Sequence, residues 1–587
     1  MILQALYEYY QRKAADPESH IAPEGWEWKE IPYVIVINKK GEFVAIEDTR
    51  EGEGKVKRAR KFLLPQSVKR TVGLKANLLW DNIEYALGAK PTKKDKDGKT
   101  RKIEDVRKRH ELFIEKILED PELAKIPSVR ALLHFLNNDP VKQIEESNFK
   151  EIWKEIIEEN PFVVFKIDGY NHATICDDIR QVAKKTSTQK GTQVCLITGE
   201  KGDEIARLHP SIKGVKGANT TGAAIVSFNL SAFTSYGKSQ NYNAPISQSA
   251  AFAYTTALNM LLSKDSQNKI SIADSTIVFW AEKKLKHTYD LESDFPWFIV
   301  SQKDDPDRGV KAVKSLYRAF ETGQLPKSNE RFYVLGLAAP SKSRITIRFF
   351  RQGTVYEFGK NILQHFHDFE IVHGPNEPEF LSLYRILTAT ALEYKMDNVP
   401  PNLASAVIES ILDGTPYPMT LFHQCIRRIR AEREVTRARA AILKATINRF
   451  NRIHKPQEKE VTMALDPSNN NPGYRLGRLF AVLEKIQEET QPGINATIKD
   501  RFYGAASTSP VAVFSQLLKL KNHHLAKIEN TGRRVNFEKL ITEIMAGISE
   551  FPAHLSLNDQ AYFSLGYYHQ RQDLFTSKKD NNKTENQ

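Results

Sequence analysis

Cysteine, long apolar runs and leader-like segments are all scarce in this sequence. Its 587 residues include only three cysteines, widely spaced at positions 176, 195 and 425. That number excludes a disulfide framework and a cysteine zinc cage, and it favours a reducing compartment. No apolar run reaches the roughly 18 residues that a membrane-spanning helix needs, and the first residues lack the basic and apolar regions of a signal peptide. We therefore expect a cytoplasmic protein with no membrane partner.

Recognisable catalytic motifs are also missing. The chain has no GxxxxGK[ST], GxGxxG, HExxH, CxxC or GxSxG segment, which removes the common nucleotide-binding, zinc-peptidase, thiol-redox and serine-hydrolase patterns. His365, His367, Asp368 and His373 lie close in sequence without a recognised ligand spacing, and we interpret them as structural or surface residues. We expect no active site, no cofactor and no bound metal.

Positive charge is what the sequence has in excess. It carries 85 Lys+Arg against 72 Asp+Glu, a formal net charge of +13, on an otherwise ordinary globular composition with 41% hydrophobic residues. An imbalance of this size favours polyanionic partners, of which nucleic acid is the first candidate.

The hydrophobic pattern predicts an α+β N-terminal region followed by an all-α C-terminal helical bundle. Tyr33 to Ile37 and Glu42 to Ile46 flank a turn and predict a hairpin. Residues 103–157 have helical spacing, 161–168 and 191–198 have strand character, and the chain beyond Pro375 is helical throughout. The boundaries that we predict are 1–375 with a sub-boundary in the loop 89–102, a basic helical region 376–462, a helical bundle 463–576 and a disordered tail 577–587.

Four segments concentrate basic and amide side chains. Residues 55–75 hold eight basic residues and no acid, and the loop 212–229 combines lysines and amides with three glycines and runs into an expected strand. Glycines let backbone amides approach a sugar-phosphate chain, and amide side chains can bond to bases. The polar segment 235–245 follows. The motif-binding candidates in the two loops are Lys213, Lys216, Asn219, Thr220, Thr221, Lys238, Gln240 and Asn241.

The fourth segment, residues 427–455, predicts an amphipathic basic helix. With the strand 343–353, whose period of two places Arg344 and Arg348 on one face, it supplies candidates for contacts with the nucleic-acid backbone. Solvated loops, a plain glycine-rich turn and intramolecular packing of arginine stems are the alternative interpretations. The backbone candidates are Lys69, Arg70, Lys75, Arg344, Arg348, Arg427, Arg430, Arg433 and Arg437.

Four blocks of the sequence carry a resemblance to a known family. They are Lys69-Arg70-Thr71 with NLLWDNIEYALG at 77–88, CLITGEKGDEIARLHPSIKGV at 195–215, GAAIVSFNLSAFTSYGKSQNYNAP at 222–245 and TPYPMTLFHQCIRRIRAEREVTRARAAILKATINR at 415–449. These blocks resemble the large subunit of the type I-C CRISPR Cascade, an RNA-guided DNA surveillance complex. They span nearly the whole chain in the family's order, and the sequence departs from the resemblance at Ser341, where an asparagine is expected.

The resemblance implies a non-catalytic subunit that recognises the protospacer-adjacent motif in duplex DNA, helps to open it and contacts the displaced strand. The partners that it implies are CRISPR RNA, double-stranded target DNA, the Cascade backbone and guide-end-capping subunits, and a recruited helicase-nuclease. RNA-guided recognition leaves the protein only motif recognition, strand opening and backbone contact.

Met463 is the candidate for an internal translation start. It lies between two polar, breaker-rich stretches, where a domain can begin without exposing a core. The resemblance implies a small subunit translated from the same gene. Arg475 and Arg478, with Lys519, Lys521 and Lys527, are expected to give that product a basic surface for the displaced strand, a solvated face being the alternative.

Two other functions remain open at the level of sequence. One is a metal-dependent nuclease or nucleic-acid remodelling enzyme with dispersed ligands, and the other is a general RNA-binding scaffold. Turnover of labelled duplex with Mg²⁺, Mn²⁺ and ATP would identify the enzyme, whereas sequence-selective binding to double-stranded DNA would count against the scaffold.

Overall fold

The computed structural model describes residues 1–52, 58–68, 70, 73–92, 102–180, 193–202, 204–283, 291–299, 306–323 and 330–575. The chain forms two compact units. The first unit comprises Met1–Pro210 and Val226–Ala257, and the second comprises Ser211–Ile225 and Leu258–Gln587. The positions 375 and 462, where we predict domain boundaries, both lie within the second unit. The predicted tail, 577–587, lies outside the described residues.

The first unit mixes short strands with helices. Its elements are α1 (Ile2–Ala14), β1 (Trp26–Glu30), β2 (Tyr33–Ile37), β3 (Phe43–Asp48), β4 (Arg50–Glu51), β5 (Arg58–Ala59), β6 (Lys61–Pro65), β7 (Trp80–Asn82), α2 (Ile83–Ala86), α3 (Ile103–Leu118), α4 (Pro121–Ala124), α5 (Pro127–Asn137), α6 (Pro140–Glu145), α7 (Lys150–Glu159), β8 (Phe162–Ile167) and α8 (Ile175–Ile179), and α9 (Gln248–Leu261) continues into the second unit.

A four-stranded sheet in the order β3-β2-β8-β7 organises this unit. All five residues of β2 are buried, as expected for a strand that is covered on both faces. The predicted hairpin is confirmed, since β2 and β3 pair antiparallel, and the strand expected at 161–168 is β8, which pairs parallel with β2.

The strand expected at 191–198 is wrong for its described part. Residues 193–198 form a turn, in which Cys195 N donates to Glu200 O at 2.9 Å and Gly199 N donates to Cys195 O at 2.9 Å. Only Val194 forms a bridge, with Lys201. An apolar run without a neighbouring strand does not form a ladder.

The second unit contains an antiparallel sheet and most of the long helices. Its elements are β9 (Lys269–Ile272), β10 (Ser275–Ala281), α10 (Leu291–Ile299), α11 (Pro306–Glu321), β11 (Arg331–Ser341), β12 (Arg344–Thr354), α12 (Val355–Phe369), α13 (Leu383–Thr388), α14 (Leu403–Asp413), α15 (Met419–Glu432), α16 (Arg437–His454), α17 (Pro472–Thr490), α18 (Ile498–Ala506), α19 (Phe514–Leu525), α20 (Thr531–Met545) and α21 (Leu557–Phe575).

Sheet and helices of the second unit share one hydrophobic core, which includes Ile277 of β10, Leu443 of α16 and Phe563 of α21. Local signals begin several of the helices. At α12, Thr354 and Glu357 form a reciprocal capping box, which satisfies backbone N–H groups at the helix start. The helical expectation beyond Pro375 is confirmed, and so is the fold class of an α+β region followed by helices. Within the described residues, none of the helices has the length and apolar character needed to cross a bilayer.

Candidate nucleic-acid interface

The glycine-containing segment at residues 212–223 forms a closed loop in the second unit, which we call the glycine loop. Ile212 and Ala223 exchange both backbone hydrogen bonds, at 2.9 and 2.8 Å, and this pair closes its base. Gly214 has φ +90°, and a Cβ there would lie 2.5 Å from the carbonyl oxygen of Leu262. Gly222 has φ +105°. Only glycine fits these positions without strain, so the loop has a fixed backbone path.

The glycine loop lies against the tip of the β11–β12 hairpin, residues 341–344. Asn219 N donates a hydrogen bond to Lys342 O at 2.8 Å. Just after the loop, Ala224 N donates to Ser343 O at 3.2 Å, and Ile345 N donates to Ala224 O at 3.0 Å. The expected strand after the loop is reduced to these contacts and a parallel bridge from Ala224 to Arg344. Loop and hairpin tip therefore form one surface, which we call the loop–hairpin surface.

Cations and short polar side chains are exposed together on the loop–hairpin surface. Those from the glycine loop are Lys213, Lys216, Asn219, Thr220 and Thr221, and those from the hairpin are Lys342 and Arg344. Lys216 Nζ donates to Ala273 O at 2.7 Å, whereas Lys213 and Lys342 form no ion pair with any described residue. Sequence reasoning missed Lys342, although the polar SKSR between two apolar runs marks the hairpin tip.

Arg348 does not join this surface. Its guanidinium pairs with Asp274 at 2.7 Å and is partly buried. The ladder between β11 and β12 shifts register between Gly336 and Leu337, opposite Phe349 and Ile347, so the strict period of two is broken there. As a consequence Ile347, which a strict period of two would place on the buried face opposite Arg344 and Arg348, is 37% exposed.

The second group of motif-binding candidates lies in the first unit, at residues 235–245. Lys238 is exposed and Gln240 is half-buried with φ +54°. Asn241 is only 1% exposed, and its backbone N–H points to Arg207 O at 3.4 Å. A side chain buried in this way is not available to a base, so we remove Asn241 from the base-contacting candidates.

The basic segment at 55–75 is partly structural. Arg70 pairs with the carboxylate of Asp81, donates from Nε to Lys75 O at 2.7 Å and lies 4.3 Å over the ring of Tyr85. Burial raises the pKa of Asp81, and the Arg70 guanidinium opposes this shift. Arg70 is thus a partner for a buried acid rather than a free phosphate ligand. Lys75 is exposed, and Lys69 lies outside the described residues.

The single basic helix expected at 427–455 is wrong, because α15 ends at Glu432 and α16 begins at Arg437. Arg433 adopts a left-handed conformation, φ +54°, and ends α15. Arg427 and Arg430 are exposed on α15, and Arg433 is exposed at its end. Arg437 is 6% exposed and binds Glu377 at 3.3 Å and the carbonyl of Glu379 at 2.8 Å. Its role is therefore intramolecular.

Two further arginines also turn inward. Arg478 is 1% exposed, with bonds of 3.0 Å each to Gln570 and Glu543, so the expected contact with a displaced strand is wrong for it. Arg475 is half-buried and donates from Nε to Asn469 O at 3.0 Å. Exposed basic and amide side chains of this part include Lys519, Asn522, His523 and Lys527, which lie on and just after α19, whereas the predicted Lys521 is half-buried.

Of the four residues His365, His367, Asp368 and His373, which we interpreted as structural or surface residues, His365 and Asp368 are buried and have partners within the protein. His365 is buried, with Nδ1 2.8 Å from the hydroxyl of Tyr417, and burial lowers its pKa. Asp368 is fully buried and pairs with Arg449 at 2.7 Å and Arg452 at 3.0 Å. Among the residues that the structure describes, no group of three or more His, Cys, Asp or Glu is arranged to hold a metal ion.

Met463 lies in the irregular segment between α16 and α17. Its side chain is 53% exposed, and its backbone carbonyl accepts a hydrogen bond from Val372 N at 3.0 Å. Of the helices that follow Met463, the first, α17, and the last, α21, pack directly against each other. Glycines allow the backbones of these two helices to come into contact. A Cβ at Gly477 would lie 1.9 Å from Phe563 O, and one at Gly566 would lie 2.0 Å from Tyr474 O.

Comparison with known proteins gives one family. Residues 6–575 match the family described as CRISPR-associated protein (Cas_Csd1). No curated protein matches the chain.

Proposed function

The chain belongs to the Cas_Csd1 family of CRISPR-associated proteins, and from this premise we propose that it is the non-catalytic large subunit of a type I-C RNA-guided DNA surveillance complex. In this role it recognises the protospacer-adjacent motif duplex, helps to open it, contacts the displaced strand and recruits the helicase-nuclease. It assembles with CRISPR RNA and with the backbone and guide-end-capping subunits. The observation that carries the proposal is the loop–hairpin surface.

That surface combines the two kinds of contact that a motif-recognising protein needs. Phosphate contacts position a protein on a duplex, and contacts to base edges supply sequence preference. Lys213 and Lys342 are exposed cations without ion pairs to described residues. Between them Asn219, Thr220 and Thr221 are exposed on a backbone whose path is fixed by glycines. An amide or hydroxyl held in this way can bond to a base in a groove.

The proposal is tested with guide-loaded complexes assembled from the full chain. We expect Lys213→Ala/Lys342→Ala to weaken binding on every motif and to flatten its salt dependence by about two units of slope, one for each phosphate contact. Asn219→Ala should instead relax motif choice at one position and cost about 1 to 3 kcal/mol.

The matched control is Lys311→Ala/Lys360→Ala, which removes two exposed lysines from α11 and α12 of the same unit. The proposal would be contradicted if the loop–hairpin variants bound DNA with the affinity, motif choice and salt dependence of the wild type. Turnover of labelled duplex by the purified chain with Mg²⁺ or Mn²⁺ would contradict its non-catalytic part.

Contact with the displaced strand is proposed for the exposed cations of the helices. Arg427 and Arg430 lie on α15, and Lys519 and Lys527 lie on and just after α19. For Arg427→Ala/Arg430→Ala we expect a slope flatter by about two units with unchanged motif choice. Arg437→Ala serves as the comparison, because its guanidinium is buried. A triple variant of Arg427, Arg430 and Arg433 with the wild-type slope would remove α15 from the footprint.

We also propose that translation starts a second time at Met463 and yields a small subunit from the same gene. Two observations support this start. Met463 is exposed in an irregular segment, and the glycine contacts between α17 and α21 join the two ends of the downstream product.

A further inference from the structure

Tyr236 is the most conspicuously exposed aromatic residue of the first unit. Its side chain is 99% exposed, although burial of an aromatic ring is normally favourable. It occupies the tip of a tight turn, in which Lys238 N donates to Ser235 O at 2.9 Å and Ser235 N donates to Lys238 O at 3.3 Å. A Cβ at the neighbouring Gly237 would meet nothing within 4 Å, so the tip projects freely from its own unit.

The backbone at this tip is strained for the residue that it carries. Tyr236 has φ +50° and Gly237 has φ +71°. Positive φ at both central residues is the signature of a type I′ hairpin turn, whose first position favours asparagine, aspartate or glycine. A bulky residue at positive φ is an outlier that the surrounding structure must enforce. Neither burial nor backbone preference therefore explains a tyrosine here.

One side chain holds the turn in place. Asn243 accepts from Ser235 N at 3.2 Å and donates from Nδ2 to Lys238 O at 3.0 Å and to Gln240 O at 2.9 Å. These bonds fix both strands of the turn independently of the tyrosine ring. The ring is thus presented in advance, next to the exposed Lys238.

We propose that Tyr236 is a base-stacking residue that takes an unpaired nucleobase of single-stranded DNA, with Lys238 at the adjoining phosphate. Stacking on an aromatic ring suits any base, because every base has a π face, and a lysine beside it supplies the charge that the strand requires. The inference rests on the proposed function, in which an opened duplex supplies the unpaired base.

The test uses the full-length chain and single-stranded DNA carrying the fluorescent base 2-aminopurine. Tyr236→Asn removes the ring and places at this φ a residue that tolerates it. We expect this variant to bind the strand about 5- to 150-fold more weakly, the loss of one stacked base, and to lose the change in 2-aminopurine emission. Its melting temperature should not fall, because the turn loses strain. Tyr236→Phe keeps the ring and should keep wild-type affinity.

Tyr384→Asn is the control, since it removes a 38% exposed tyrosine from α13, and it should leave binding unchanged. The inference is overturned if Tyr236→Asn binds single-stranded DNA as tightly as the wild type, or if Tyr236→Phe loses as much affinity as Tyr236→Asn. A wild-type chain that binds no single strand overturns it as well. Motif-selective binding of duplex by the assembled wild-type complex is measured separately. A wild-type complex that binds duplex without motif preference would count against the proposed function rather than against this inference.

Discussion

His569 of α21 illustrates how one buried residue links stability to pH. The ring is completely buried, with Nδ1 2.9 Å from the hydroxyl of Tyr474. Burial lowers the pKa of His569 from 6.5 to about 4, the positive charge of Lys444 acts in the same direction, and Asp466 opposes it. Between these two pH values the unfolded chain binds a proton that the folded chain excludes.

We therefore expect the free energy of unfolding to fall as the pH decreases from 6.5 to about 4, with His569 contributing about 3 kcal/mol to the loss. His569→Asn keeps a polar partner for Tyr474 and should flatten this part of the profile. Urea unfolding followed by tryptophan fluorescence across that pH range measures the difference. The exposed His423 on α15 provides the control, His423→Asn, which should retain the wild-type profile. An unchanged profile in His569→Asn would assign the loss to other groups.

Buried arginines show why the candidate site could be predicted only in part. Arg437, Arg439 and Arg478 are 6%, 0% and 1% exposed, although Arg437 and Arg439 belong to the same basic segment as the exposed Arg427. Their partners come from distant positions, since Arg439 donates to Ala389 O and Arg478 to Gln570. Local composition shows the charge but not the distant oxygen that neutralises it. The glycine loop was predictable because its lysines, amides and glycines are adjacent in sequence.

At the scale of elements, α17 and α21 are joined by a glycine contact that tolerates no side chain. Besides Gly477 and Gly566, Gly473 would place a Cβ 2.1 Å from Asp559 O. Small residues allow two helix backbones to approach this closely, and the extensive van der Waals contact between the helices stabilises the pair. The buried Tyr567–Glu484 hydrogen bond, 2.6 Å long, spans the same pair of helices.

Gly477→Ala should destabilise the second unit by about 1 to 3 kcal/mol or more, because the added methyl group meets backbone rather than a movable side chain. Alanine by itself favours a helix over glycine by about 1 kcal/mol. Gly504→Ala on α18 isolates that term, since a Cβ there meets nothing within 4 Å, and this variant should be slightly stabilised. Thermal unfolding of both variants checks the expectation. Equal effects in the same direction would show that the close approach is not what limits position 477.

Elements with strong local periodicity were predictable, and their interruptions were not. The hairpin that begins at Tyr33 follows from two strand-like runs around a turn, and the helices beyond Pro375 follow from hydrophobic spacing. The break between α15 and α16 falls on Arg433, which adopts a left-handed conformation. Since this residue is neither glycine nor proline, the sequence does not indicate the break. A strand also needs a partner, and residues 193–198 have none beyond the bridge at Val194.

At the scale of the whole molecule, the second unit combines residues that we propose are also made as a separate product. Its single hydrophobic core extends from β9 to α21, so the product starting at Met463 would be released from contacts such as the hydrogen bond between Tyr568 and Val372 O, 2.8 Å long. The interactions that keep this product folded must therefore lie within the residues that follow Met463. The contact of α17 with α21 is the largest such element, and it joins the start of the product to its end.

Replacing Met463 by leucine through a non-initiating codon tests the internal start without disturbing the full-length chain. The side chain is 53% exposed, and the only hydrogen bond described at this residue uses its backbone carbonyl, which leucine keeps. We expect mass spectrometry of the assembled wild-type complex to show a product that begins at Met463, and Met463→Leu to remove it while the full-length chain persists. Met419→Leu, at a 47% exposed methionine, should leave the product in place. A wild-type complex without the product, or a Met463→Leu complex that retains it, would show that the start lies elsewhere or is not used.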